Sequence, residues 1–204
     1  MKNLLIAIFL IFTLCSCATG PVFVAKTESE AITRTYNDQR SQELYNTNAE
    51  FFRELYLRYT AAHIGMYKDG IGIAILNDEK KEKLHYIKVY VRPAEISFDG
   101  NSSTPEQRFS HALQQIPLYM KLIKSRDLNR NDIEGLAFGI YWPVRDFSQC
   151  NQYGGFVEYI NIFFRKVDAQ DILDGRREYQ DALVDAEVIT SLDLKPAKNV
   201  RPVF

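Results

Sequence analysis

The side chains best suited to metal binding or nucleophilic catalysis are three histidines and one cysteine in the body of the chain. His63, His85 and His111 are each more than 20 residues apart, and none has a histidine or carboxylate four residues away. That spacing would place two metal ligands on one helix face. His85 alternates with apolar residues and His111 lies beside an alanine, which is typical of partly buried structural histidines. We therefore predict no metal site, no cofactor and no catalytic histidine.

Cys150 is the remaining candidate nucleophile, since a thiol and a histidine elsewhere in the chain can form a catalytic pair. Its neighbours Gln149 and Asn151 are neutral, and the local sequence does not begin a predicted helix. Neither a cation nor a helix N-terminus is therefore at hand to activate the thiol. We expect a structural cysteine. An enzyme with a dispersed active site that uses Cys150 or a histidine is the alternative.

A long loop is the most suggestive feature for binding. Residues 143–155 connect two predicted strands and exceed the roughly two to five residues of an ordinary hairpin loop. Aromatic side chains next to an arginine and amides suit contacts with a protein or a small ligand. The candidate binding surface consists of Trp142, Arg145, Phe147, Asn151 and Tyr153. Alternatively, these aromatic residues cover the end of the sheet, and both interpretations can hold together.

The first 17 residues have the features of an export signal. Lys2 precedes an apolar run over residues 4–14, which is too short for the roughly 20 residues that span a bilayer. The sequence Leu14-Cys15-Ser16-Cys17 then resembles the lipobox of bacterial lipoproteins, in which an aliphatic residue stands three places before an obligatory cysteine. The resemblance covers this leader alone.

The lipobox resemblance implies cleavage of a signal peptide, residues 1–16, and a diacylglycerol on the Cys17 sulfur. The new N-terminus would also be acylated, and several acyl chains together hold a protein stably on a lipid bilayer. Ala18 resembles the residue type that permits transfer to the outer membrane in a cell with two membranes. The expected location is then the periplasmic face of that membrane.

Composition separates the remaining chain into a tether and a single domain. Residues 17–46, with the acylated cysteine at their start, are rich in Thr, Ser, Glu, Asn and Gln and predict a polar tether. A helix that begins near Tyr36 is the alternative. Residues 47–204 predict one domain, since 46% of the chain is hydrophobic and 13 Phe and 12 Tyr can fill a core. With Cys17 lipidated, that core must form without an intramolecular disulfide.

Hydrophobic periodicity predicts an α+β fold. A helix from about Asn48 precedes strands at 70–76 and 84–92, and alternation in the second strand places Tyr86, Lys88 and Tyr90 on one face. Thr104 and Gln107 then predict a capping box at the start of a second helix, in which Pro117 should cause a kink or a break. Strands at 133–142 and 155–165 and a final helix from Asp168 complete the pattern. We expect an antiparallel sheet of about four strands with helices packed on one face. The order strand-strand-helix occurs twice, which suggests a ββα pseudo-repeat.

These features predict a membrane-anchored envelope lipoprotein with a non-catalytic binding or assembly domain. The expected partners are the bilayer, through acylated Cys17, and an envelope protein or polymer. Nucleic acid is disfavoured, because the formal net charge is −1 and no basic stripe is present.

Overall fold

The computed structural model of the protein describes residues 24–77, 82–145 and 156–191. The helices are α1 (Glu28–Ala31), α2 (Gln39–Ala61), α3 (Pro105–Met120), α4 (Lys166–Leu173) and α5 (Tyr179–Leu183), with a 3₁₀ turn at Ser125–Leu128. The strands are β1 (Met66–Asn77), β2 (Lys83–Val91), β3 (Phe98–Asp99), β4 (Gly135–Arg145), β5 (Phe156–Arg165) and β6 (Glu187–Thr190).

The strands form one mixed sheet in the order β1-β2-β4-β5-β6, with β3 beside the end of β4. The hairpins β1/β2 and β4/β5 are antiparallel, whereas β2 pairs with β4 in parallel. The α+β class is confirmed, but the expected antiparallel sheet of about four strands is corrected to a mixed sheet of six. The chain crosses from the end of β2 to the start of β4 through helix α3. The adjacent strands of the two hairpins, β2 and β4, therefore run in the same direction. A helix follows each hairpin, as the ββα order predicted.

The N-terminal region begins to pack earlier than expected. Val24 forms a bridge with Tyr67, and Ala31 and Ile32 are buried in the core, although the sequence predicted a tether as far as residue 46. Helix α2 begins at Gln39, well before Asn48 and close to the alternative start near Tyr36, because the side chain of Asp38 caps it by accepting from the Ser41 amide. Polar residues dominate this region, so its few buried apolar side chains were hard to detect.

The rest of α2 and the first turns of α3 follow the pattern that the sequence predicted. Phe52, Leu55 and Tyr59 of α2 are buried, as their spacing indicated. In α3, Thr104 and Gln107 form the expected capping box, which satisfies orphan amides at the helix start. The helix is not divided at Pro117 but continues to Met120.

The C-terminal region differs from the single helix that was predicted. Helices α4 and α5 are separate, and Gly175 between them has φ 70°, a left-handed conformation that ends a helix. The chain then adds β6 to the sheet beside β5. This strand is only four residues long and has too little alternation to be recognised from sequence.

The main hydrophobic core lies between the helices and one face of the sheet. All five helices send their buried apolar side chains to this core. On the strand side it contains alternate residues, among them Ile87 and Val89 of β2 and Phe138 and Ile140 of β4. Within the described ranges, no helix combines the length and the apolar character that a membrane span requires.

Candidate binding face

The three histidines occupy three different elements. His63 follows the end of α2, His111 is exposed on α3 with its ring 5.5 Å from that of Phe98, and His85 is buried at the start of β2. Cys150 lies outside the described residues. Among residues 24–77, 82–145 and 156–191, no cluster of His, Cys, Asp or Glu is arranged to hold a metal ion.

His85 belongs to a structural cluster at the N-terminus of α2. Its Nε2 lies 3.2 Å from Asp38 Oδ2, and the Ser41 hydroxyl donates to the same oxygen at 2.9 Å. Lys83 donates to the other Asp38 oxygen, and this contact, followed by those from Ser41 and His85, holds the pKa of Asp38 below its usual range. The serine hydroxyl is bonded to the carboxylate, not to the imidazole, so this arrangement is a helix cap that fastens α2 to β2.

The predicted loop surface can be followed only at its base, since Phe147, Asn151 and Tyr153 lie outside the described residues. Arg145 is exposed at the end of β4, consistent with a surface position. Trp142 is instead fully buried, so its ring is part of the core and not of the surface that the sequence suggested.

The Trp142 indole belongs to a buried charged network. It donates to Glu158 Oε2 at 2.9 Å, and Arg108 of α3 donates to both oxygens of the same carboxylate at 2.7 and 2.6 Å. Arg108 also donates to the backbone oxygen of Ser103. Such a bidentate pair is directional. It fixes α3 against the β4/β5 hairpin near the end of its connecting loop.

A surface that the sequence did not single out lies on the face of the sheet opposite the helices. Alternate strand residues point to it, and Tyr67 joins them from β1. The tyrosine face, as we call this layer, consists of Tyr67, Tyr86, Lys88, Tyr90, Ala137, Gly139, Tyr141, Tyr159, Asn161 and Phe163. Tyr67, Lys88, Tyr90 and Tyr159 are half-buried, and the other six residues are buried. Its small buried cluster contains strand residues alone, within the described part of the chain.

Tyr141 is the centre of this surface. Its ring stacks on Tyr67 with centroids 3.8 Å apart and on Tyr159 at 5.1 Å, and Tyr90 lies tilted against it at 5.5 Å. Burial raises the pKa of Tyr90 and Tyr141 well above the ordinary value. The four rings form a contiguous aromatic layer, in which the hydroxyls of Tyr90 and Tyr141 are neutral at physiological pH.

Lys88 is the cation of the tyrosine face. Its Nζ donates to Thr33 Oγ1 at 2.8 Å and lies 5.8 Å from the centre of the Tyr90 ring. The Thr33 hydroxyl in turn donates to the backbone oxygen of Asp69 at 3.0 Å. Burial lowers the pKa of Lys88 to about 8, and the charge of Asp69 opposes this shift only in part. The ammonium is thus largely desolvated without a salt bridge to any described carboxylate.

Asn161 supplies a buried acceptor next to the aromatic layer. Its side chain is 8% exposed, and its Nδ2 donates to the Tyr141 hydroxyl at 3.2 Å. Its Oδ1 is buried and has no hydrogen-bond partner among the described residues. A Cβ on Gly139, the residue paired with Asn161 across the sheet, would lie 2.1 Å from that oxygen. Only glycine therefore leaves room for the amide in this position.

The sequence contained part of the signal for this surface. The predicted strand at 84–92 correctly placed Tyr86, Lys88 and Tyr90 on one face, which an antiparallel sheet would expose to water. The alternation of Gly135, Ala137 and Gly139 with larger residues in β4 is also visible in the sequence. The sequence did not show that β2 and β4 are neighbours in the sheet. Their parallel pairing brings the tyrosines of β2 beside the small residues of β4.

The chain defines an α+β domain with a mixed sheet, helices on one face and tyrosines on the other. Comparisons with models of protein families, with curated proteins and with solved structures find no match.

Proposed function

We propose that this protein is a lipid-anchored envelope lipoprotein whose domain binds an envelope protein or polymer, without catalysis, through the tyrosine face. The lipobox at residues 14–17 supports the anchor and an exported location. In a cell with two membranes, the residue after the cysteine favours the periplasmic face of the outer membrane. Acylated Cys17 would hold the domain at the membrane surface.

The observation that supports binding best is the composition of the tyrosine face. Tyrosine rings offer a large contact area at little cost in conformational entropy, and they are enriched where proteins recognise partners. Half-buried Lys88 adds a cation for orientation. A surface with an extended aromatic layer and a small number of polar groups fits recognition.

The anchor is tested by metabolic labelling with a fatty acid in the native cell. The wild-type protein should incorporate the label, and the variant Cys17→Ser should not. Continued labelling of the variant would contradict the assigned lipidation site.

Binding is tested by crosslinking the mature protein in its native envelope and recovering the complexes. Tyr159→Ala should reduce recovery of the partner, because Tyr159 is a partly exposed member of the aromatic layer. Leu57→Ala is the matched control, since Leu57 is 52% exposed on α2, on the helix-covered side. Equal recovery from both variants would contradict binding through the tyrosine face.

A further inference from the structure

Resting on the proposed lipid anchor, we infer that the domain also docks on anionic phospholipid headgroups, through a basic surface on its helix side. The basic surface consists of Lys121, Lys124, Arg126 and the nearby Leu118, all of which are exposed. The headgroups are those of the bilayer that would hold the acyl chains of Cys17. Because the tyrosine face lies on the opposite side of the sheet, the two contacts can form together.

The fold turns the acidic side chain of this segment inward and leaves the cations outside. Residues 121–130 contain four basic residues and one acidic residue, Asp127. Asp127 is 5% exposed, accepts from the Lys124 amide at 2.9 Å and forms an ion pair with Arg58 of α2. The three exposed cations form no salt bridge with a described carboxylate, so they remain available to an external anion.

The turn that carries the cations is fixed on two sides. Arg130, the fourth basic residue, lies with its guanidinium carbon 3.7 Å from the centre of the Phe51 ring and donates to Asn48 Oδ1 at 2.6 Å. On the other side, Gln170 of α4 donates to the backbone oxygen of Ser125 at 3.3 Å. A backbone that is already ordered loses less conformational entropy on binding than a free segment does.

The acidic side chains around the basic surface each lie near a basic residue outside it. They are Glu54 beside Arg58, Asp174 beside Arg176 and Glu95 near Arg92. These carboxylates are therefore offset by other cations, and the basic surface keeps an excess of positive charge.

The basic surface lies at the same end of α2 as the point where the lipid anchor joins the domain. Arg58, in the last turns of α2, donates to the backbone oxygen of Leu122 at 3.5 Å. Val24, the first described residue, lies beside Gly65, which follows the end of the helix, because a Cβ on Gly65 would be 3.6 Å from Val24 Cγ1.

The tether keeps this end of the domain close to the bilayer. Seven residue steps separate Cys17 from Val24, and a fully extended chain of that length spans about 25 Å. Tethering converts docking into an intramolecular event with a high effective concentration of headgroups. A weak contact is then sufficient to orient the domain.

Exposed Leu118 favours a bilayer over a soluble polyanion as the partner. This side chain is 54% exposed in the last turn of α3, three residues before Lys121. Segments that bind at the boundary between headgroups and acyl chains combine apolar side chains with Lys and Arg. A soluble polyanion would engage the cations and leave the leucine in water.

The test reconstitutes the mature acylated protein in vesicles of phosphatidylcholine, with or without phosphatidylglycerol. A photoreactive phenylalanine at position 118 samples the basic surface, and one at position 184 samples a residue that is 79% exposed after α5. Lipid should be crosslinked from position 118 and not from position 184, and only in vesicles that contain phosphatidylglycerol. High salt should abolish the product, because it screens the charges.

Charge variants give the size of the effect. Lys121→Gln combined with Lys124→Gln should lower the ratio of docked to undocked domain about 30-fold, since each basic residue near an anionic surface contributes about fivefold. The matched control combines Lys68→Gln with Arg165→Gln, which removes two exposed cations on strands that form no salt bridge with a described residue. The control should leave the ratio unchanged, and circular dichroism checks that each variant keeps its fold.

Three results would overturn this inference: no lipid product from position 118, an equal yield without phosphatidylglycerol, and an equal loss in the charge variant and its control. If vesicle flotation shows that the acylated protein does not associate with lipid, the anchor fails and the inference fails with it. If the protein floats and position 118 gives no lipid product while crosslinking to a partner still depends on Tyr159, the inference fails and the proposed function stands.

Discussion

Replacing Lys88 with methionine should stabilise the protein at neutral pH, although it removes a hydrogen bond. The Lys88 ammonium is largely buried, and its pKa falls from the ordinary 10.5 to about 8 because burial penalises the charge. Methionine has a similar length and no charge, so it removes this penalty. The groups that face Lys88 are Thr33, Asp69 and the ring of Tyr90.

The size of the expected stabilisation follows from the lowered pKa of Lys88. A fall from 10.5 to about 8 corresponds to ~3 kcal/mol of destabilisation of the folded state while the lysine is protonated. The lost hydrogen bond to Thr33 offsets ~1 kcal/mol of this gain. We therefore expect Lys88→Met to raise the free energy of unfolding by ~2 kcal/mol at pH 7.

The effect of Lys88 on the free energy of unfolding should change with pH in a definite direction. Between about pH 8 and pH 10.5 the unfolded chain keeps a proton that the folded chain has lost, so the Lys88 contribution to stability rises with pH. The penalty is complete below about pH 8 and absent above about pH 10.5. The advantage of Lys88→Met should therefore disappear as the pH approaches 10.5.

The assay is urea unfolding of wild type and variant at pH 7 and at pH 10, with Lys68→Met as control. Lys68 is exposed on β1, so its replacement should change the free energy of unfolding by less than ~0.5 kcal/mol at either pH. A Lys88→Met variant that is less stable than wild type by the same amount at both pH values would refute the desolvation argument.

Three further variants test the packing. Glu158→Ala should destabilise the fold by roughly 3–5 kcal/mol in urea unfolding, because it leaves buried Arg108 without its partner; a loss below ~1 kcal/mol would contradict a buried pair. Tyr179→Phe should raise stability by ~1 kcal/mol, because the buried Tyr179 hydroxyl has no partner among the described residues; a marked loss would mean that this hydroxyl is bonded. Gly139→Ala should lower the free energy of unfolding by ~1–3 kcal/mol, since the new Cβ would collide with Asn161 Oδ1. An unchanged midpoint of urea unfolding would show that the Asn161 amide does not lie against Gly139.

Local patterns predicted the elements of this fold well where the periodicity was long. The capping box at Thr104 and the alternating faces of the strand that contains Ile87 were both correct, because each depends on residues close in sequence. The sheet type was not predictable in this way. It depends on the crossover through α3, which two well-formed hairpins in the sequence do not reveal.

The binding face was harder to predict than the fold, because its members come from four strands. Tyr67, Tyr90, Tyr141 and Tyr159 meet through the sheet register, and no spacing within one segment indicates their stacking. Trp142 shows the opposite difficulty. Its place beside a polar loop suggested a surface residue, whereas alternation along β4 turns it toward the core.

The most direct test of the central claim, that the protein binds its partner through the tyrosine face, is position-specific photocrosslinking in the native envelope. A photoreactive phenylalanine at position 159 samples the tyrosine face, and one at position 167 samples α4 at a residue that is 66% exposed. Crosslinked product from position 159 and none from position 167 is the expected result. Product from position 167 with none from position 159 would place the interface on the helices and contradict the claim.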